Sequence, residues 1–180
     1  MEADFANPAS NASETPEAYV ERLLELLGDR DPFEVQSQLV GKIEELIEGL
    51  SESALREREA PGKWSILEVV HHLADTEVVY RYRMRMSVAQ PGSQIPAYDQ
   101  DQWASGLQYN EAGLESALRE LEAFRSANLA WLRGLSDEEL NRAGIHEERG
   151  PESVRSIVKL LAAHDLVHRN QIRRIKAAVL

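Results

Sequence analysis

His164 and His168 lie four residues apart in LLAAHDLVHRNQIRRI, close to the end of the chain. At about 100° per residue this stretch reads as a helix with Val154, Ile157, Leu161, Ile172, Ile175 and Val179 on one face. Both histidines fall inside that apolar face, and their spacing stacks the side chains one turn apart. Two core-facing imidazoles can grip one metal ion. Without an ion they are buried polar groups that need hydrogen-bond partners.

Tight metal binding needs a third protein ligand, and a catalytic site leaves further positions for water or substrate. The remaining histidines are His71, His72 and His146. An earlier helical stretch has its apolar arc at Ile66, Val69, Leu73, Val79, Tyr80 and Met84. His72 lies within that arc and His71 points nearly the opposite way. The phasing therefore selects His72 as the third ligand and predicts an exposed His71. His146 sits in a glycine- and proline-bounded loop, where surface exposure is expected first and a place lining the site second. A fourth, carboxylate ligand stays open. Glu77, Asp165 and Gln171 are inward or boundary polar residues suited to orient imidazoles, each more readily read as a structural hydrogen-bonder than as a ligand. Glu77 is also the candidate general base if the nucleophile is water.

These histidines need helices to hold them. Thr15-Pro16 signals a helix start, with the helix running from 16 to 27 and stopping at Gly28. Asp31-Pro32-Phe33-Glu34 repeats the signal, with Glu34 placed for a capping box, for a helix ending near 50. Residues 51 to 64 read as a connection around Pro61-Gly62 with room for one helical turn. Ser65 and Glu68 form a capping box that opens a long helix over roughly 65 to 89, stopped by Pro91-Gly92. A connection over 90 to 110 follows, carrying Tyr98, Asp99, Asp101 and Trp103; a linker this long either serves the site or packs as an irregular cover with a helical turn near Gln102 to Ser105. Asn110 is placed to cap a helix from 111 to about 134, with Leu114, Ala117, Leu118, Leu121, Phe124, Asn128, Trp131 and Leu132 inward. Ser136 caps a short helix, 144 to 151 is a loop, and the last helix fills 153 to 178. Nothing alternates with period two over a strand's length. The expected fold is all-α: a four-helix bundle with an additional short N-terminal helix, one domain over 15 to 180, after a flexible tail at 1 to 14.

The 180 residues carry a net charge of −11, which argues against nucleic acid as a partner. Basic clusters at Arg81, Arg83, Arg85 and at 173, 174 and 176 read as solvated helix faces. The chain has no cysteine, so thiolate ligands, disulfides and a cysteine nucleophile are excluded. No run approaches the ~18 apolar residues of a membrane span. The N-terminus lacks a basic start and an apolar stretch, so a cytoplasmic location is expected. Asn11-Ala12-Ser13 matches a glycosylation sequon, read as chance in that setting.

Trp64-Ser65-Ile66, His72-Leu73-Ala74-Asp75 and the stretch from His164-Asp165 through His168-Arg169-Asn170-Gln171-Ile172 together resemble the DinB-like superfamily. Ala97-Tyr98-Asp99-Gln100-Asp101-Gln102-Trp103-Ala104 resembles its YfiT-type branch more particularly. The likeness covers about residues 31 to 178. It implies a four-helix bundle with a divalent metal, nickel or zinc, held by three histidines that match His72, His164 and His168, with waters completing the coordination. It also implies a homodimer, since several relatives are dimers. Relatives include S-transferases that use a low-molecular-weight thiol against an electrophilic small molecule, and maleylpyruvate isomerases; others are described as metal-dependent hydrolases without an established activity. The expectation is therefore a metal-dependent thiol S-transferase-like enzyme. The alternatives are a hydrolase with metal-activated water, for which Glu77 would be the base, and a non-catalytic metal-binding or interaction protein.

Overall fold

The computed structural model describes residues 15–180. The predicted tail at 1 to 14, with its sequon, lies outside the described residues. Helix α1 (Pro16–Leu27) starts as the sequence suggests, with the Thr15 hydroxyl accepting from the Ala18 amide and Pro16 in the first turn. Leu23 and Leu27 seal it against Leu160, Ala163 and Val167. This is the additional N-terminal helix.

The bundle proper is built from α2 (Pro32–Ser37) and α3 (Leu39–Ile47), which together form one arm, and from α5 (Ile66–Ala89), α7 (Leu114–Arg133) and α9 (Val154–Val179). Helix α5 packs on both α7 and α9. The central core joins Leu39, Ile43, Ile66, Val69, Leu73, Leu121, Ile172 and Ile175. On α3, α5 and α9 these residues recur every three or four positions, as do Ala117 and Leu121 on α7, the spacing that makes one apolar stripe.

The expected single helix from 32 to about 50 is broken at Gln38. The break coincides with a diverted backbone carbonyl: Gln36 offers its oxygen to the Arg125 guanidinium at 3.2 Å. Gln36 is itself buried, its amide donating across to the carbonyl of Val158 at 2.9 Å. Asp31 caps α2, accepting from Phe33 and Glu34 amides, but Glu34 does not close a capping box. Its carboxylate accepts from the Gln38 side chain instead.

Two further expectations need correction. The third long helix begins at Leu114 after Gly113, not at 111. Asn110 does not cap it. Its side chain accepts from the Ser65 hydroxyl at 2.6 Å and donates to the Arg56 carbonyl at 3.3 Å, tying two loops together. The helical turns expected in the two connections are present and longer than one turn: α4 (Glu52–Arg56) in the first, and α6 (Gln100–Gly106), capped by Asp99, in the second.

A small sheet supplements the helices, where the sequence showed no strand. β1 (Gln94–Ile95) runs parallel to β2 (Ala143–His146), which pairs antiparallel with β3 (Gly150–Ser153). A short helix, α8 (Asp137–Asn141), precedes β2 and opens with a capping box between Ser136 and Glu139. Strands of two to four residues are too short to print an alternating pattern. A Cβ at Gly144 would stand 2.8 Å from Ile95 Cγ2 and 2.9 Å from Ser87 Oγ, so only glycine lets β2 approach β1 and α5 this closely. No helix of the described residues is long and apolar enough to cross a membrane.

Candidate metal centre

Ser65 and Glu68 start α5 with the predicted capping box, which sets the phase that turns His72 inward. Ser153 caps α9 and sets the phase of His164 and His168. All three imidazoles are buried, and one ligand nitrogen of each lies within 4.8 Å of the others. His164 Nε2 is 3.1 Å from His72 Nε2 and 3.0 Å from His168 Nε2.

This geometry fits an ion. Two imidazole nitrogens each bound at ~2.1 Å to one divalent ion can stand no more than ~4.2 Å apart, and both His164 distances lie inside that limit. The donor set is also chemically ready. Burial holds the pKa of His72 and His164 well below the ordinary 6.5, reinforced by the neighbouring histidines. Burial likewise pushes His168 down to about 4. The rings are therefore neutral near pH 7, with lone pairs available.

The histidines differ in how they are oriented. His168 Nδ1 donates to Gln171 Oε1 at 2.7 Å, which leaves a bare Nε2 facing the cluster. Nδ1 of His72 and of His164 has no protein partner among the described residues. Packing holds those rings instead. Trp64 lies 4.8 Å from the His72 ring, and Tyr80 lies 6.4 Å from the His164 ring.

His71 turns away from the cluster, as phased, but is not exposed. It is half-buried and stacks on Tyr109 with ring centroids 5.6 Å apart. His146 is not on the surface either: at 2% exposure it is buried in β2.

Glu77 and Asp165 are occupied elsewhere. Arg125 donates to Glu77 Oε2 at 2.6 Å, and Asn128 donates to Glu77 Oε1 at 3.1 Å. Arg125 also clasps Asp165 with contacts of 2.5 and 3.1 Å. Arginine, glutamate and aspartate are all fully or almost fully buried. Burial raises Asp165 to about 6 against the pull of Arg125. Among the described residues, no carboxylate joins the three-histidine group.

The side-chain contacts that surround the centre could not be read from the sequence. Thr76 Oγ1 stands 3.4 Å from His72 Nε2 and 2.9 Å from the Tyr98 hydroxyl. Tyr98 in turn packs against Trp103, with centroids 4.9 Å apart. The 90-to-110 connection therefore reaches the site through Tyr98. Asp99 is spent on the α6 cap, and Asp101 is exposed. Arg83, expected on a solvated helix face, is buried instead; its spacing from His72 puts it on the inward stripe of α5 shared by Thr76 and Tyr80.

Residues 38–172 match the family model of the DinB superfamily. A protein of Oceanobacillus iheyensis named "Putative metal-dependent hydrolase" is 27% identical over 132 residues, covering 73% of this chain and 76% of that one. "Putative metal-dependent hydrolase YfiT" of Bacillus subtilis is 26% identical over 116 residues, covering 64% and 65%. The solved structure of YfiT superposes with a TM-score of 0.75 at 22% identity, over 92% of this chain and 90% of that one. It is described as having an unusual four-helix bundle topology, and the likeness shows that this chain shares the fold. The chain belongs to the DinB superfamily.

Proposed function

We propose that this chain is a divalent-metal-dependent enzyme in which His72, His164 and His168 hold nickel or zinc, and that it joins a low-molecular-weight thiol to an electrophilic small molecule. The observation that carries the metal reading is the convergence of three buried, neutral imidazole nitrogens on one point. A bound divalent ion would supply an electrophilic centre that lowers the pKa of a thiol or water brought to it.

The rest of the site supports a thiol over water as the nucleophile. Metal-activated water profits from a general base, and Glu77 has both oxygens engaged by Arg125 and Asn128. A thiol activated at a metal needs no such base. The chain has no cysteine, so the sulfur would come from a co-substrate. Burial raises the pKa of Tyr98. Its hydroxyl thus keeps its proton and, with Thr76, can orient a bound group by hydrogen bonding. Trp64 and Tyr80 border the imidazoles and limit access of bulk water.

The names of the relatives favour a second reading, a metal-dependent hydrolase. One experiment addresses both. Elemental analysis of tag-free protein should give about one nickel or zinc per chain, lost in His72→Ala and His164→Ala. The cobalt-substituted protein is then titrated with low-molecular-weight thiols and assayed with electrophiles and with ester and amide substrates. A thiol-dependent change in the cobalt spectrum, with thiol-dependent turnover, supports transfer. Thiol-independent cleavage supports the hydrolase. A protein that takes up no metal after reconstitution would sink both.

A further inference from the structure

Arg83 is 3% exposed, yet among the described residues no carboxylate stands within ion-pairing distance of it. Its Nε and Nη2 both donate to the neutral carbonyl of Pro96, at 3.0 and 2.5 Å. Arg125, similarly buried, has two carboxylates. A buried cation without a counter-ion is costly, and a site that keeps one is built to receive a negative charge.

The cation also lies toward the candidate metal centre. It is 5.1 Å from the Tyr80 ring and 6.0 Å from the Tyr98 ring. Tyr98 reaches Thr76 beside His72. With 5.1 Å from Arg83 to Tyr80 and 6.4 Å from Tyr80 to His164, the guanidinium lies no more than about 11.5 Å from the His164 ring.

His146 supplies an independent second observation. Its Nδ1 accepts from the Glu148 amide at 3.2 Å, so the ring proton is on Nε2. That Nε2–H is buried with no acceptor among the described residues. The sheet brings it to Arg83: Ile95 pairs with His146, and Pro96, which Arg83 grips, follows Ile95. Burial, with Arg149 and Arg83 nearby, holds His146 at about 4, so it remains a neutral donor. The other local charges are matched. Arg149 is paired with Glu152 at 2.5 and 3.1 Å, and exposed Glu147 accepts from the Ala97 amide at 3.2 Å. Among the described residues, Arg83 remains without an ion-pair partner and the His146 Nε2–H without an acceptor, in a chain of net charge −11.

We propose that Arg83 and His146 form a subsite that binds the carboxylate of a small-molecule substrate whose reacting end lies at the three histidines. The assignment of the reacting end rests on the proposed function; the carboxylate subsite itself does not. An arginine fork and an imidazole N–H match the two oxygens of a carboxylate. Tyr80 and Tyr98 would flank the carbon chain between the two ends.

The probe is glutarate, with uncharged glutaramide as its control, titrated into metal-free protein. Calorimetry gives the dissociation constant, and the imidazole NMR signals of His146 report the place. Wild type and His72→Ala should bind glutarate equally, and neither should bind glutaramide. Arg83→Met should weaken glutarate by about tenfold or more. His146→Leu, which removes the other wall and leaves the Pro96 contact intact, should weaken it as well and serves if Arg83→Met fails to fold. No glutarate binding by wild type overturns the proposal, as does equal binding by the folded variants. Loss of binding in His72→Ala with retention in Arg83→Met would put the carboxylate at the histidines and also overturn it. Elemental analysis of the same proteins as purified, before the metal is stripped, tests the metal reading separately, so the two can fail independently.

Discussion

His168 donates its Nδ1 proton to Gln171 Oε1 across 2.7 Å, one turn along α9. The donation assigns the tautomer of one imidazole in the cluster through a protein side chain and aims its Nε2 lone pair at the point shared with His72 and His164. Removing the acceptor should therefore act on the ligand and leave the bundle folded. Gln171→Leu is expected to lower metal affinity by about 10–100-fold. Competition against a chromogenic chelator measures this, and unchanged affinity would show that the contact is incidental.

Metal content should separate the adjacent histidines of α5. His72→Ala, His164→Ala and His168→Ala are each expected to lose the ion, while His71→Ala keeps it. His71→Ala should still lower stability somewhat, because the ring stacks on Tyr109. Loss of metal from His71→Ala, with retention in His72→Ala, would refute the assignment.

The buried Arg125 holds two carboxylates, Glu77 and Asp165, and neither has access to water. Arg125→Met would strand both and is expected to cost about 3–5 kcal/mol. Urea denaturation reads the loss. A change within about 0.5 kcal/mol, the size of a surface substitution, would contradict the ion-pair reading.

Acid should weaken the metal-free protein before it titrates ordinary carboxylates. His72 and His164 are held well below the ordinary 6.5, and His146 and His168 at about 4. Between those values and 6.5 the unfolded chain binds more protons than the folded one. The stability these groups contribute is complete above 6.5 and is lost as pH falls toward 4. For His168 the full loss is about 3 kcal/mol. Asp165 works the other way: raised from 3.8 to about 6, it adds stability as pH falls through that interval. The four histidines outweigh it, so Tm should drop between pH 7 and pH 5. Saturating metal should steepen the drop, since protons and metal compete for the same nitrogens. A flat profile for the metal-free protein would contradict burial of neutral imidazoles.

Gly144→Ala should displace β2, because the added methyl would meet Ile95 and Ser87 at under 3 Å. A cost of about 1–3 kcal/mol is expected. The displacement should appear in the NMR signals of His146, two residues along the strand. Unperturbed stability and signals would show that the strand can retreat freely.

The helices and the three histidines were legible because their determinants are local. The Ser65–Glu68 capping box sets where α5 starts, and 3.6-residue periodicity then separates His72 from His71. The i, i+4 spacing does the same for His164 and His168. The resemblance to the DinB-like superfamily drew on the same positions. Charged and short-range features were harder to read. Arg125, on the inward face of α7, gave no apolar signal, and its place in the core exists only because Glu77 and Asp165 come to it from two other helices. Asn110 has the residue type of a helix cap, but its partners, Ser65 and Arg56, lie 45 and 54 positions away.

By itself, then, the sequence determined the helical periodicity, the starts of α1, α5 and α9, the inward phase of the histidines and the absence of a cysteine nucleophile. Propensity, capping and side-chain direction act within a turn or two, so one segment suffices to read them. Only the tertiary structure decided that three imidazole nitrogens come together, two of the contacts at about 3 Å, that Glu77 is committed to Arg125 and Asn128, and that His146 is buried near Arg83, whose guanidinium is held by the Pro96 carbonyl. Those relationships join groups dozens of residues apart. Their distances depend on how α5, α7, α9 and the small sheet pack, to which no single segment holds the key.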